Sequence, residues 1–558
     1  MMEKKWWQQE VVYQVYPRSF QDTNGDGIGD LRGIEARIPY LKKLGVGIVW
    51  IGPIFSSPND DNGYDVSDYY NIMSEFGTME DFDSLLAKMH EAGLRLVLDL
   101  VVNHTSDEHA WFVESCKSKD NPYRDYYIWR DARDGKEPSN WESVFSGSTW
   151  NYYENTDQYA LHLYSKKQMD LNWENEKVRE DVFRLAKFWL DKGADGFRLD
   201  TITTISKVTS FPDAPVVNPG NPYQPATQFY MDGPRIMEFL TEFRDEVFRK
   251  YDIVTIGETP GLAPKEALRY ANRENGVMDL AIQWEHIEKD PGSGGKWDEE
   301  FWTPLYFKQI MTNWQRDFMG KAWNVLYLGN HDQPRQVSRF GDEKEYWRES
   351  ATMMATCIHM MCGTPFVYQG EEIGMTNVAF DTIEEYRCVE TRNMYRDRIS
   401  RGEDHASLME KIHRKSRDNA RTPMQWDDSQ YAGFTTTEPW IGVNPNHDVI
   451  NVAAQENDPH SILNHYRALI RLRKEHEVIV YGDYELLMPD DPYVYAYLRR
   501  LDGKMLLVLT NFSAEERALD IDIPAGGQLL LGNYENASAA WDGAALQPYE
   551  ARVYLWEE

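Results

Sequence analysis

The amino-acid sequence predicts an α/β protein: a (β/α)8 barrel with an inserted subdomain after strand 3 and a C-terminal antiparallel β-domain. Short β-branched runs that end in polar residues alternate with helical patterns eight times before residue 375, as such a barrel requires. After about residue 480 the pattern changes to alternating apolar and polar residues between Asp-Gly and Pro turns. That change is typical of an antiparallel sheet.

The predicted barrel strands follow one another with helical segments between them. They lie at residues 11–17, 47–53, 94–104, 193–200, 252–258, 276–284, 324–332 and 364–372. Between the second and third strands, Thr78 is predicted to cap a helix, because Phe82, Leu85, Leu86 and Met89 share one helical face. We expect this helix to pack on the barrel.

The gap between the third and fourth strands is far longer than a crossover needs. Residues 105–172 are rich in Trp, Tyr, Asn and Asp and have no clear helical period. We therefore predict barrel segments at 1–104 and 173–479, an inserted subdomain at 105–172, and a C-terminal domain at 480–558.

Composition and charge narrow the function classes. The 558 residues are 42% hydrophobic and 27% charged, which is ordinary for a globular protein. A formal net charge of -32 repels phosphate backbones and anionic lipid, so nucleic acid and membranes are not expected partners. The N-terminus lacks the apolar stretch of a signal peptide, which predicts a cytoplasmic protein. The four cysteines show no metal-ligand spacing and are expected to be free thiols.

Polar residues end four of the predicted strands, where a barrel places its active site. They are Asp99, Asn103, His104, Arg198, Asp200, Glu258, His331 and Asp332. Each residue alone is equally explained by helix capping or by core packing. Their coincidence at four strand ends of one barrel indicates an active site.

The residue types favour glycoside hydrolysis. Two carboxyl groups across a glycosidic bond can act as nucleophile and as acid/base, which retains the anomeric configuration. The sequence contains no GxSxG elbow, P-loop or HExxH motif in a fitting context. Esterase, phosphoryl-transfer and zinc-protease functions are therefore disfavoured.

Four motifs resemble the signature regions of glycoside hydrolase family 13, the α-amylase family: DLVVNH (99–104), GFRLD (196–200), IGE (256–258) and LGNHD (328–332). Further segments, among them QMDLNW (168–173) and RDNARTPMQWD (417–427), resemble the oligo-1,6-glucosidase and α-glucosidase subfamily. The resemblance covers almost the whole chain.

The resemblance implies the catalytic roles. Asp200 would be the nucleophile, Glu258 the acid/base, and Asp332 the residue that binds sugar hydroxyls and stabilises the transition state. Arg198 lies two residues before Asp200 on the same strand face and should keep that carboxylate ionised, whereas Glu258 needs a raised pKa to hold its proton.

The resemblance also implies a closed pocket for one sugar. His104 and His331 would hydrogen-bond the sugar in the -1 subsite, with Tyr64 as its stacking platform and Gln168 nearby. The pair Asp61 and Arg417 would close the pocket over the non-reducing end, which makes the enzyme exo-acting on short substrates.

Three residues are expected to set the aglycone side. Tyr164 stands where relatives usually carry Phe, and Glu390 aligns with an aglycone-side carboxylate. In relatives, Thr at the position of Thr201 accompanies α-1,4 preference and Val accompanies α-1,6 preference, so we expect maltose to be hydrolysed at least as well as isomaltose. The alternative is that Thr201 only packs, and that Tyr164, Glu390 or the loop after strand 6 sets the linkage.

The segment DTNGDGIGD has the alternating oxygen ligands of a hard-cation loop. Its predicted ligands are Asp22, Asn24, Asp26, the carbonyl of Ile28, and Asp30, although position twelve is Gly33 instead of Glu. A structural Ca2+ is the prediction, with Mg2+ as the alternative ion. The competing interpretation is an Asp/Asn/Gly turn without metal.

The function predicted is a retaining exo-α-glucosidase that acts on short oligosaccharides and also transfers glucose, as a monomer or weak homodimer. Sucrose isomerase and trehalose synthase would share its catalytic residues, but the segment 284–297, WEHIEKDPGSGGKW, lacks the Arg-rich stretch common in sucrose isomerases. A trehalose-6-phosphate hydrolase would need a basic phosphate subsite, which the sequence does not reveal. A catalytically silent interaction module would have lost the catalytic residues, which are present here.

Overall fold

The computed structural model describes residues 4–287, 296–298 and 302–557. Eight parallel strands form the barrel. They are β1 (Val12–Val15), β2 (Ile48–Ile51), β3 (Arg95–Val101), β4 (Gly196–Asp200), β5 (Val254–Glu258), β6 (Leu280–Ile282), β7 (Val325–Leu326) and β8 (Thr364–Tyr368). The order is β6-β5-β4-β3-β2-β1-β8-β7, and a bridge between Ala281 and Asn324 joins the two edge strands. The predicted barrel is confirmed, and each predicted segment contains one of these strands.

The barrel strands are apolar runs because both of their faces are covered. In β3 every residue except Arg95 is buried, as expected for a parallel sheet with helices outside and side chains filling the interior. The described α-helices are Leu31–Ala36, Ile38–Leu44, Met79–Glu91, Ala110–Ser115, Glu176–Asp191, Thr227–Tyr230, Ile236–Glu246, Pro264–Ala271, Pro304–Phe318, Gln336–Phe340, Trp347–His359, Val389–Ser400, His405–Lys415, Asp418–Arg421, Val452–Gln455, Ile462–Glu475 and Glu477–Tyr481.

The helix predicted after Thr78 forms as expected. Thr78 and Asp81 make a reciprocal capping box at the start of Met79–Glu91, which satisfies N–H groups that have no partner within the helix. The buried residues of this helix are Phe82, Leu85, Leu86 and Met89, the face predicted from the sequence. No helix in the described part of the chain is both long and apolar enough to cross a membrane.

The inserted subdomain begins and ends on one antiparallel pair. His104–Ser106 directly follows β3 and pairs with Gln168–Asp170. Between them, Trp129–Arg130, Gln158–Leu161 and Trp150–Tyr153 form a three-stranded antiparallel sheet. The pairing places Gln168 and His104 on neighbouring strands at the mouth of the barrel.

The C-terminal domain is a six-stranded antiparallel sheet. Its strands are β9 (Asp483–Leu487), β10 (Val494–Leu501), β11 (Lys504–Asn511), β12 (Gly526–Gly532), β13 (Ala540–Trp541) and β14 (Ala551–Glu557), in the order β9-β10-β11-β14-β12-β13. The buried Nζ of Lys308, on a barrel helix, donates to the carbonyl groups of Met488, Asp491 and Val494 at 2.8, 2.5 and 3.1 Å. This ammonium therefore holds the domain against the barrel.

Two buried carboxyl groups follow β8. Glu371 accepts from the Tyr466 hydroxyl at 2.8 Å, and Glu372 accepts from Tyr13 and Tyr40 at 2.7 and 2.6 Å. Burial raises the pKa of Glu371 to about 8. Because its folded-state pKa exceeds the unfolded value, the stability that Glu371 contributes is complete below pH 4.5 and is lost as pH rises to about 8.

We predict that Glu371→Gln removes this pH dependence. The Tm of the variant minus the Tm of wild type should be higher at pH 8 than at pH 5.5 by roughly 2–6 °C. The reason is that the unfolded wild type releases a proton that the folded protein keeps. Calorimetric melts at both pH values measure it. An equal Tm difference at the two pH values would contradict the pKa assigned to Glu371.

Candidate active site

One cavity of about 560 Å³ opens at the C-terminal ends of the barrel strands. Its lining includes every residue predicted for catalysis or substrate binding except Arg198 and His331. These lining residues are Asp61, Tyr64, His104, Tyr164, Gln168, Asp200, Thr201, Glu258, Asp332, Glu390 and Arg417. Arg198 and His331 are buried and contact lining residues without lining the cavity themselves. The structure therefore brings the predicted group together.

Arg198 lies among the carboxyl groups of three strand ends. Its Nη1 lies 2.6 Å from Asp200 Oδ1 and 2.9 Å from Asp99 Oδ1. Its Nη2 lies 2.7 Å from Glu258 Oε2. The sequence predicted only the contact with Asp200. Since all four groups are buried, the guanidinium compensates carboxyl charge that would otherwise be costly to bury.

Glu258 has the properties of a proton donor. Burial raises its pKa to about 8, with further raising by Asp200 and Asp332, although Arg198 and the Thr201 backbone N–H oppose the shift. That N–H donates to Glu258 Oε2 at 2.9 Å. A carboxyl group with this pKa keeps its proton at pH 7 and can give it to a leaving oxygen.

Thr201 has a strained backbone. Its φ of 41° and ψ of 36° place it in the left-handed region, which is unfavourable for a β-branched residue and costs about 1–3 kcal/mol. This turn directs the Thr201 N–H to Glu258, while its hydroxyl lies 3.3 Å from Asp200 Oδ2. The residue after the predicted nucleophile therefore contacts both predicted catalytic groups.

Asp332 has the opposite electrostatic environment. Burial alone raises the pKa of its carboxyl group, but His331, Arg417 and Arg421 together hold it well below the ordinary value. Their nitrogens lie 3.0, 3.2 and 2.8 Å from Asp332 oxygens. The role of Arg421 was missed in the sequence. The only signal is its place four residues after Arg417 in the segment RDNAR.

The glycone end of the cavity is closed by polar contacts. Arg417 Nη2 lies 2.8 Å from Asp61 Oδ1, and Gln168 donates to the other Asp61 oxygen at 3.3 Å. The Tyr64 ring stacks on His331, with centroids 5.2 Å apart and planes 6° from parallel. His104 Nε2 lies 3.0 Å from the Tyr64 carbonyl. These contacts order the wall at this end of the cavity.

The opposite end of the cavity combines charge with an apolar wall. Glu390 Oε2 lies 2.5 Å from Lys296 Nζ and 3.4 Å from Arg417 Nε, and Cys388 Sγ accepts from Arg417 Nε at 3.1 Å. Sequence reasoning missed the further lining residues Val144, Phe145, Tyr230, Met231, Trp284, Ile287, Lys296, Arg339 and Lys415. They come from loops, from the inserted subdomain and, for Tyr230, Arg339 and Lys415, from helices. Residues 288–295, on which the isomerase comparison depends, lie outside the described residues.

The predicted cation ligands follow β1 in a compact loop. Asp22 accepts from the backbone N–H groups of Asn24, Gly25 and Gly27, and Asp30 caps the next helix by accepting from the N–H of Gly33. Among the described residues, no group of three or more His, Cys, Asp or Glu side chains is already arranged to hold a metal ion. The cation site therefore stays a prediction.

The fold and the site together define a glycoside hydrolase. The family model for the α-amylase catalytic domain matches residues 14–482. The chain is 57% identical to the oligo-1,6-glucosidase of Parageobacillus thermoglucosidasius, over 99% of each chain. It superposes over the full length of both chains on trehalose-6-phosphate hydrolase of Bacillus licheniformis, with a TM-score of 0.94 and 45% identity. It also superposes in full on isomaltulose synthase from Protaminobacter rubrum, with a TM-score of 0.95 and 41% identity.

The chain belongs to the α-amylase family, glycoside hydrolase family 13. The family resemblance inferred from the four motifs is thereby confirmed. Its relatives and structural neighbours include hydrolases and a synthase, so membership alone does not decide the substrate.

We predict that kcat/KM falls as pH rises above about 8, because the proton on Glu258 is then lost. The loss should approach tenfold for each further pH unit. A pH profile of kcat/KM with maltose measures it, and a decline that already begins near pH 5 would contradict the protonated state of Glu258. The Tm at each pH separates this loss from unfolding.

Proposed function

We propose that this protein is a retaining, exo-acting α-glucosidase that hydrolyses terminal α-glucosidic bonds of short oligosaccharides and transfers glucose to other acceptors. The observation that carries the proposal is the pair of carboxyl groups at the ends of β4 and β5, Asp200 and Glu258, which share the buried Arg198 guanidinium. A pair of this kind fits a double-displacement mechanism.

The reaction proceeds in two balanced steps. Asp200 attacks the anomeric carbon while Glu258 gives its proton to the glycosidic oxygen, so the aglycone leaves as an alcohol and a glucosyl ester forms on Asp200. Glu258, now ionised, takes a proton from water while the water oxygen attacks the anomeric carbon. The ester bond to Asp200 breaks, which releases α-glucose and free Asp200. If a sugar hydroxyl replaces water, the product is a transglycosylated oligosaccharide.

The other predicted residues bind the glucose ring. Asp332, held ionised by His331, Arg417 and Arg421, would accept from sugar hydroxyls and stabilise the positive charge of the transition state. Tyr64, His104, Gln168 and His331 would position the ring. The Asp61–Arg417 ion pair supports exo action, because a chain that continues beyond the non-reducing glucose has no path through it.

The structural cation remains part of the proposal. Asp22, Asp26 and Asp30 lie within nine residues, and Asp22 and Asp30 are buried without an ion pair to a described cationic side chain. A hard divalent cation, Ca2+ or Mg2+, would supply the missing positive charge, with Asn24 and the Ile28 carbonyl as further ligands. The cytoplasmic location, the domain boundaries and the oligomeric state also stay predictions.

A second candidate is trehalose-6-phosphate hydrolysis. Lys296, Arg339 and Lys415 line the cavity, and basic groups of this kind bind phosphate. The ion pair between Lys296 and Glu390 already neutralises one of them, which favours an uncharged aglycone. A product panel of maltose, isomaltose, sucrose, trehalose and trehalose 6-phosphate distinguishes hydrolysis of neutral substrates, isomerisation and phosphate-dependent hydrolysis.

We predict that Asp200→Asn and Glu258→Gln each lower kcat on maltose by at least about 10³-fold, because each removes one of the two reacting groups. Proton NMR of the wild-type reaction should show α-glucose first. Asp279→Asn, at the N-terminal end of β6 where the carboxyl group accepts from the N–H and hydroxyl of Thr255, is the matched control and should keep kcat within about threefold. β-Glucose as first product, or near-normal turnover of either active-site variant, would refute the proposal.

We predict that wild type hydrolyses maltose at least as well as isomaltose, and that Thr201→Val shifts the ratio of kcat/KM toward isomaltose by about tenfold. The change removes a hydroxyl group beside Asp200 with little change in volume. The oligo-1,6-glucosidase relative supports activity on α-1,6 bonds as well. An unchanged ratio in the variant would assign linkage preference to other residues of the aglycone side.

We predict that removing divalent cations with a chelator lowers the Tm by several degrees, while activity well below the Tm persists. An ion that binds only the folded state stabilises it by mass action. Adding Ca2+ or Mg2+ back should restore the Tm, and Asp26→Asn should weaken that response. If metal-free protein melts at the same temperature with and without each ion, the loop is only a turn.

A further inference from the structure

The ammonium group of Lys207 lies where three segments of the active-site wall meet. Lys207 is 5% exposed and does not line the active-site cavity. Its Nζ donates to Asn103 Oδ1 at 3.0 Å and to the Thr204 carbonyl at 2.7 Å, and lies 2.9 Å from Asp170 Oδ2. These three acceptors match the three N–H donors of an ammonium group.

Two of the acceptors adjoin residues proposed to bind glucose. Asn103 directly precedes His104, and its amide nitrogen lies 3.2 Å from the His104 ring. Asp170 ends the short strand that begins at Gln168. The ammonium therefore connects the ends of the two strands on which the inserted subdomain begins and ends.

The third acceptor belongs to the turn after the proposed nucleophile. The Thr204 N–H and hydroxyl both donate to the Thr201 carbonyl, at 2.9 and 2.7 Å. The N–H of the same residue, Thr201, donates to Glu258. The bond from Lys207 to Thr204 thus supports the turn that contacts both proposed catalytic carboxyl groups.

Asp170 also makes a hydrogen bond within the inserted subdomain. Its Oδ1 accepts from the backbone N–H of Leu163 at 2.9 Å, and Leu163 precedes Tyr164 in the cavity wall. Asp170 is fully buried, and Lys207 is its one ion-pair partner in the described part of the chain. Without the ammonium, a buried carboxylate would have no compensating cation, and the surrounding segments would have to move.

We propose that Lys207 is a positioning residue of the reaction: its ammonium sets the positions of His104, Gln168 and the Thr201 turn relative to one another. The inference rests on the proposed function, because it assigns Lys207 to the fit of that pocket to the transition state. Displacements near 1 Å at reacting groups lower rates about 100-fold. The turn at Thr201 adjoins both reacting groups, so kcat should suffer more than KM.

The test compares two buried lysines that each have three oxygen partners, one beside the active site and one at the C-terminal domain. Lys207→Met removes the ammonium group behind the active-site wall, whereas Lys308→Met removes the ammonium group that binds three carbonyl groups of the C-terminal domain. Lys207→Gln, which is neutral but still a donor, serves if the Met variant does not fold. Steady-state kinetics with maltose and isomaltose are measured at least 20 °C below each Tm, with the folded fraction established by circular dichroism.

Both Met variants should melt at lower temperature than wild type, since Lys207→Met loses two buried hydrogen bonds and an ion pair and Lys308→Met loses three buried hydrogen bonds. The Lys207 variants should lose roughly 10- to 100-fold in kcat with KM changed less than about threefold, whereas Lys308→Met should keep kcat within about twofold. If folded Lys207 variants keep wild-type kcat, or if Lys308→Met loses as much, Lys207 is only structural and the inference is overturned. Wild type that releases no glucose from any α-glucoside would instead overturn the proposed function.

Discussion

The buried guanidinium of Arg198 is the group on which the rest of the site depends. Three carboxyl groups from adjacent strands, Asp99, Asp200 and Glu258, reach the same few ångströms because one cation lies among them. Taking carboxylates out of water is costly unless the charge is paired and hydrogen-bonded. The parallel strands supply the convergence, since their C-terminal ends meet on one face of the barrel. Neither the strand geometry nor the cation alone would be sufficient.

The surroundings of each carboxyl group determine whether it is protonated or ionised. Glu258 shares Arg198 with two other carboxyl groups, and burial raises its pKa to about 8. Asp332 lies within 3.2 Å of nitrogens of His331, Arg417 and Arg421, and these neighbours hold its pKa well below the ordinary value. One pocket thus holds a carboxyl group that keeps its proton and another that stays ionised, as the two roles require.

The two ends of the pocket differ in how they are built. The predicted glycone end is made by strand-end residues and by side-chain contacts such as the Tyr64–His331 stack. The aglycone end is made by residues of loops, helices and the inserted subdomain, and it combines apolar with charged side chains. Solved structures of a trehalose-6-phosphate hydrolase and of an isomaltulose synthase share this fold, so the fold alone does not decide the reaction outcome.

Patterns in the sequence determined the barrel, the C-terminal sheet and the polar strand-end residues of the cavity, and the family resemblance added further lining residues. The features determined by patterns are local. Apolar runs with polar ends specify barrel strands and the residues at their C-terminal ends, and alternating patterns specify antiparallel strands. Only the tertiary structure decided that Arg198 also pairs with Glu258 and Asp99, that Arg421 joins the cations around Asp332, and that Lys207 connects Asn103, Asp170 and Thr204. The apolar aglycone wall and the strained turn at Thr201 likewise depend on segments far apart in the chain. Such contacts have no periodicity in the sequence, because folding brings their partners together from different loops.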